Sequence, residues 1–200
     1  MKQSLEGEVL PFADYAYPTK DWNGLVLVGE APGAEEARQK KPFVGRSGQL
    51  LDSMLERAGI DRADTLVANV FRFQPPENKV AHFFASRRAA CAENFSLADR
   101  YGKFGSAFCK DSFAAEIDHL KKTLIRKNPK VVMALGRTPL WALTGENGLL
   151  DKVGTPLPCR LNPKLLVIPT YHPSFILRGN WALQDAWLSH FKEVKKRLTA

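Results

Sequence analysis

A handful of side chains in this sequence carry the means of doing chemistry. Glu30 stands inside Gly29-Glu30-Ala31-Pro32-Gly33, a Gly/Pro loop that follows the apolar run Leu25-Val26-Leu27-Val28. Glu36 lies just beyond it. Either carboxylate could orient or deprotonate a water. Phe43 sits in a second Gly/Pro loop, Pro42-Phe43-Val44-Gly45, and offers a flat aromatic face. Asn69 closes the apolar run Leu66-Val67-Ala68 and carries one acceptor and two donors, enough to pair with a donor and an acceptor side by side. His172, within Thr170-Tyr171-His172-Pro173-Ser174, can donate a hydrogen bond to an oxygen that gains negative charge. Each also has a plainer reading: a core phenylalanine, a strand-ending Asn, a structural loop histidine, solvated surface carboxylates.

These residues need elements to bring them together. Leu25–Val28, Thr65–Val70, Lys130–Gly136 and Leu165–Pro169 are short apolar runs of the kind buried on both faces of a parallel sheet. Between them lie helical spacings. Ser47 to Ala58 places Leu50, Leu51, Met54, Leu55 and Ala58 on one face, with Ser47 as cap and Gly59 as stop. Phe113 to Asn128 does the same with Ile117, Leu120, Leu124 and Ile125. A short helix is expected around Pro139–Leu143 and a basic-ended one from about Trp181 to Leu198. The alternation predicts a three-layer α/β/α fold around a central, mainly parallel four-stranded twisted sheet. Gly29–Gly33, Asn69 and His172–Ser174 then all follow carboxyl ends of strands, where open sheets place ligands. Residues 1–23 read as an arm packed over the domain, with room for one short helix.

The chain is read as one domain over residues 1–200. Residues 77–111 are the least regular part, with Lys79, Arg87, Arg88, Arg100, Lys103 and Lys110 among Phe83, Phe84, Phe95, Tyr101, Phe104 and Phe108. A small helical subdomain with buried rings is the first reading, and nucleic-acid contact the second. A formal charge of +8 suits a polyanionic partner, though charge alone also fits a solvated basic surface. No apolar run reaches the roughly 18 residues of a membrane span, and Met1–Glu6 begins no signal sequence, so an intracellular, cytoplasmic protein without membrane contact is expected. The three cysteines, Cys91, Cys109 and Cys159, form no C-x-x-C pair and no zinc spacing.

Taken in order, GEAPG, PFVG, the strand ending in Asn69, VVMALG and HPSFILR resemble the uracil-DNA glycosylase superfamily, and its family-4 type above all. The resemblance implies an enzyme that flips a deoxyuridine out of DNA, hydrolyses its N-glycosidic bond, and leaves an abasic site. It implies that Phe43 stacks on the base, with Gly29 and Ala31 beside it. Asn69 would pair with uracil N3–H and O4, and His172 would donate to O2. Glu30 is the first candidate for holding the water and Glu36 the second. Ser174, Arg178 and Arg46 would meet DNA, and Leu177 would wedge into the gap left by the flipped base. The plainer reading of Phe175–Arg178 is one turn of helix packed on the core. The expected partner is DNA carrying uracil or abasic sites, bound by a monomer.

The sequence departs from the family in two places. An acidic residue is common where Ala37 stands. Family-4 enzymes hold a four-iron, four-sulfur cluster on four cysteines: two before the first strand, a third where Phe73 stands, and a fourth where Glu116 stands. A cluster of that kind requires four thiolates, so none is expected, and no metal. These departures keep open a second reading, a uracil- or abasic-site-binding protein with little turnover. A third, covalent capture of the sugar by His82, is disfavoured: the branch that does this has Gln where Ala31 stands, and its basic His-containing motif is absent.

Overall fold

The computed structural model describes residues 4–5 and 8–199, so most of Met1–Glu6 lies outside the described residues. In chain order the elements are β1 (Ser4–Leu5), β2 (Glu8–Val9), β3 (Leu25–Gly29), α1 (Ala34–Gln39), α2 (Arg46–Arg57), β4 (Leu66–Asn69), β5 (Phe84–Ala85) and α3 (Arg87–Glu93). They continue through β6 (Lys103–Phe104), β7 (Ala107–Cys109), α4 (Asp111–Lys127), β8 (Val131–Leu135), α5 (Arg137–Thr144), β9 (Leu157–Pro158), β10 (Leu166–Thr170), α6 (Pro173–Leu177) and α7 (Gln184–Thr199).

The main sheet has the order β4-β3-β8-β10-β9. Its first four strands are mutually parallel, as expected. The fifth, β9, pairs antiparallel with β10 at the edge. Two residues, one of them proline, give no apolar run by which to find it in the sequence. Residues alternate strictly between the two faces. Val26, Val28, Leu66, Ala68, Val132 and Ala134 join a core with α4 and α5. Leu25, Leu27, Val131, Met133, Leu135 and Ile168 join one with α2, α6 and α7. That division is the three-layer arrangement.

Several local expectations are corrected. No helix forms between residues 8 and 23; the arm instead bridges antiparallel at Phe12 to Phe73 and Ala16 to Val67, which occupies its backbone. Ser47 does not cap α2, which starts one residue earlier behind Gly45. Residues 77–111 are built on a three-stranded antiparallel sheet, β5-β7-β6, with α3 alone as an α-helix. The buried reading of their aromatics is the one that fits. Phe83, Phe84, Tyr101 and Phe108 are buried, while Arg87 and Lys110 cover the Phe108 and Phe95 rings from outside.

Candidate active site

Strand register sets the site. Gly29 and Asn69 are paired across β3 and β4, and Thr170 lies level with Leu135 across β10 and β8. The first crossover carries the chain from β3 to β4 on one side, and later strands add on the other. The order therefore reverses between β3 and β8, and loops leaving those two strands part to open a crevice. Two adjoining cavities of about 370 and 630 Å³ open there, and Glu30, His172, Ser174 and Arg178 line both. The smaller one also takes Ala31, Glu36, Phe43 and Asn69.

Phe43 is held in place by its backbone as much as by its ring. Its φ of 54° lies in the left-handed region, unusual for a bulky residue and the sort of strain found at functional sites. Two contacts fix the loop. The Arg62 guanidinium donates to the Pro42 carbonyl at 2.9 Å, and Gly48 of α2 lies so close that a Cβ there would sit 1.9 Å from the Phe43 oxygen. The ring is 5% exposed and stands 5.8 Å from the His172 ring, centroid to centroid. It also presses on Gly29, where a Cβ would come within 2.5 Å of the ring and 2.4 Å of Asn69 Oδ1. A side chain at position 29 would collide with both residues, so glycine is required there, although Gly29 itself lines neither cavity. Asn69 itself is 3% exposed at the end of β4.

His172 ends β10's loop and caps α6. The Ser174 backbone N–H donates to its Nδ1 at 3.1 Å, and Ser174 Oγ lies 2.8 Å from the same atom. A backbone N–H can only donate, so Nδ1 is the acceptor and the neutral ring carries its proton on Nε2. Burial, with a smaller push from Arg178, moves the imidazole pKa down to about 4, so the ring is neutral near pH 7. Arg178 Nη1 donates to Ser174 Oγ at 3.0 Å, completing a relay from Arg178 through Ser174 to His172. Ser174, expected at a DNA phosphate, is thus engaged with the imidazole.

Glu30 and Glu36 differ in their engagements. Glu36 Oε2 accepts from the Gly33 N–H at 3.0 Å and caps α1. That helix has no buried residue, so no apolar period announces it in the sequence. Glu30 accepts from Thr138 Oγ1 at the start of α5. Its carboxyl is raised above the ordinary value by burial, against opposing pulls from Thr138, Arg137 and Arg178.

The other expected residues are placed less centrally. Arg46 is exposed at the start of α2 and lines neither cavity. The segment Phe175–Arg178 is not a loop: α6 runs through Leu177, and Ile176 is fully buried in the core. Leu177 is half-buried and lines neither cavity, whereas Arg178 is exposed and lines both. His82 packs its ring against Phe83 and Phe113 and lines neither cavity. Sequence reasoning missed Arg137, Thr138 and Ser47, which line or support the site. Arg137 and Thr138 directly follow a strand's carboxyl end, a signal that was available.

The residues present do not fit a four-thiolate cluster. The chain has three cysteines. Cys91 is exposed while Cys109 and Cys159 are buried, and burial pushes the Cys109 thiol up to about 12, far from a thiolate. Phe73 packs edge-on against Phe12 with centroids 5.5 Å apart. Glu116 is bidentate to Arg72, both bonds 2.9 Å. Among the described residues, no three His, Cys, Asp or Glu side chains gather as a metal site.

A doubly wound α/β protein with a polar, ring-floored cavity at its switch point is the class these features define. The family model described as "Uracil DNA glycosylase superfamily" matches residues 20–195, and the chain belongs to that superfamily. It is 46% identical over 179 residues to a Type-4 uracil-DNA glycosylase of Archaeoglobus fulgidus, covering 85% of this chain and 74% of that protein. It is 36% identical over 157 residues to one of Thermotoga maritima, covering 78% of this chain and 67% of the relative.

Proposed function

We propose that this protein is a uracil-DNA glycosylase of base excision repair that hydrolyses the N-glycosidic bond of deoxyuridine in DNA. The observation that carries the reading is one cavity lined by Glu30, Phe43, Asn69 and His172. The flipped base stacks on Phe43, beside Gly29 and Ala31, and its N3–H and O4 meet the Asn69 amide. As the C1′–N1 bond breaks, its electrons move onto the base and charge gathers on O2. The Nε2–H of neutral His172 donates there and acts mainly on the transition state. Water held by Glu30 adds to C1′ and passes its proton to the carboxylate. Glu36, committed to capping α1, supports the loop and is the secondary candidate for that water.

Arg178 and Arg46 contact phosphates, Ser174 links Arg178 to His172, and Leu177 at the end of α6 fills the gap in the stack. The same site holds uracil DNA before the reaction and abasic DNA after it. The chemistry uses side chains alone, and the substrate places it inside the cell. The protein acts on DNA as a monomer. Among the described residues, no helix is long and apolar enough to cross a membrane.

The test is a uracil-containing oligonucleotide, single- and double-stranded, treated with alkali after incubation with the protein. Strand scission at the uracil position is expected. Retarded uracil or abasic DNA without scission would replace hydrolysis with binding alone.

A further inference from the structure

The crevice at the switch point is bridged at one place by a hydrogen bond between side chains of its two walls. Glu30 is the first residue after β3, and Thr138 is the second residue of α5, which follows β8. Thr138 Oγ1 donates to Glu30 Oε2. Thr138 is 0% exposed, so no solvent competes for its hydroxyl. Glu30 lines both cavities, and its backbone is fixed too, since its carbonyl accepts from the Phe71 N–H at 3.1 Å. With the backbone held and one carboxylate oxygen bonded, the rotation of the carboxylate about its last bond is set.

Building on the glycosylase reading, we propose that Thr138 is a positioning residue for Glu30: its hydroxyl orients the carboxylate so that Oε1 faces the water that attacks C1′. Thr138 does not touch substrate and acts through Glu30 alone. A threonine is suited to the task. Its branched Cβ restricts χ1, so the hydroxyl direction is preset by packing. Without the bond, the carboxylate would sample orientations that misplace the water, and small misplacements at a reacting centre are costly in rate.

The electrostatic surroundings act in the same direction. Charged and titratable groups around Glu30 come from each neighbouring element: Arg137 of α5, Arg178 at the end of α6, His172 of the β10–α6 loop, Glu36 of α1 and Asp151 of the loop before β9. Burial favours the protonated carboxyl. Thr138 opposes this first, and Arg137 and Arg178 follow. The N-terminus of α5 also favours the ionised form. Removing the hydroxyl therefore both frees the carboxylate and makes it harder to ionise. The acid limb of the rate profile, where Glu30 protonates, then moves to higher pH.

The experiment compares wild type with Thr138→Val, Thr138→Ala and Thr138→Ser. Single-turnover uracil release is followed against pH, and the Glu30 carboxyl is titrated by carbon-13 NMR without substrate. Val keeps the shape without the hydroxyl, Ala guards against misfolding of the Val form, and Ser restores the hydroxyl. For Val and Ala the maximal rate falls about tenfold or more, the loss expected from one hydrogen bond to a charged group. KM stays near wild type, the acid limb and the Glu30 titration both move up in pH, and Ser restores all three. An unshifted Glu30 titration in Val and Ala, or a Ser variant as impaired as Val, overturns the proposal. Wild type that releases no uracil while Glu30 still shifts would sink the glycosylase reading and leave the Thr138–Glu30 coupling standing.

Discussion

His172 concentrates the chemistry of the site in one tautomer. Ser174 donates to Nδ1, so the ring proton sits on Nε2, and the proposed reaction can use it without any titration step. His172→Ala should slow uracil release by about 10²–10³-fold, the usual loss for one preorganised donor at a developing anion, with DNA binding little changed. Single-turnover rates beside a binding titration check this. The same burial has a stability consequence. The folded-state pKa, near 4, is below the unfolded value near 6.5, so the unfolded chain binds more protons between those limits. Stability attributable to His172 is complete above about pH 6.5 and is lost as pH falls toward 4, by as much as ~3 kcal/mol. Glu30 works in the opposite sense because its folded pKa is raised. The comparison must therefore be wild type against His172→Gln, by urea unfolding at several pH values. A difference that does not shrink on acidification would refute the burial argument. Asn69 makes a separate prediction. Asn69→Asp changes the donor and acceptor pattern read by the base, so uracil-over-cytosine preference should fall by about tenfold or more in paired cleavage assays.

The elements explain why some residues were legible in the sequence and others were not. Phe43, Asn69 and His172 stand beside apolar strands or Gly/Pro loops, and local pattern fixes where such residues fall. Glu30 was legible as a residue, but its partner Thr138 was not, since their bond joins positions 108 apart in sequence. The polar helix α1 and the two-residue edge strand β9 bury too little to leave a period. Residues 77–111 show apolar content without saying which strand pairs with which, because antiparallel order is set by long-range contacts. The most informative long-range feature is the clasp between the segment that follows β4 and α4. Arg72 is bidentate to Glu116, its backbone N–H also donates to that carboxylate at 3.1 Å, and its guanidinium covers the Phe12 ring at 5.1 Å. It also lies 3.4 Å from Asp14, so the arm and the helix meet on one side chain. Glu116 is 4% exposed. Glu116→Ala should destabilise the fold by about 3–5 kcal/mol, because it removes the bidentate carboxylate from a largely buried guanidinium and leaves only the more distant Asp14. Replacing both residues with apolar ones should recover much of that loss in the urea midpoint. No recovery would mean that the pair's geometry, rather than an orphaned charge, sets the cost.

At the scale of the molecule, the switch point gathers the cavities at one edge of the sheet and the charge gives them a direction. Lys and Arg outnumber Asp and Glu by 29 to 21, and Arg137 and Arg178 stand at the cavity walls. A basic protein acting on DNA releases counterions for each phosphate it meets, so its affinity falls with salt along a slope set by the number of contacts. Arg46 is the useful probe of where the strand runs. It is exposed, begins the helix behind the Phe43 loop, and lines neither cavity, so its replacement leaves the chemistry untouched. If the strand passes over the start of α2 on its way to Phe43, Arg46→Gln should weaken binding evenly across sequences. It should also reduce the salt slope by about 0.7–0.9, with the rate at saturating DNA unchanged. Lys196→Gln, at the far end of α7, removes the same charge away from the site and is expected to leave the slope alone. Equal slopes for the two variants would mean that long-range charge, and no contact at Arg46, draws the DNA in, and the path would then have to leave the cavities by the Arg137 side.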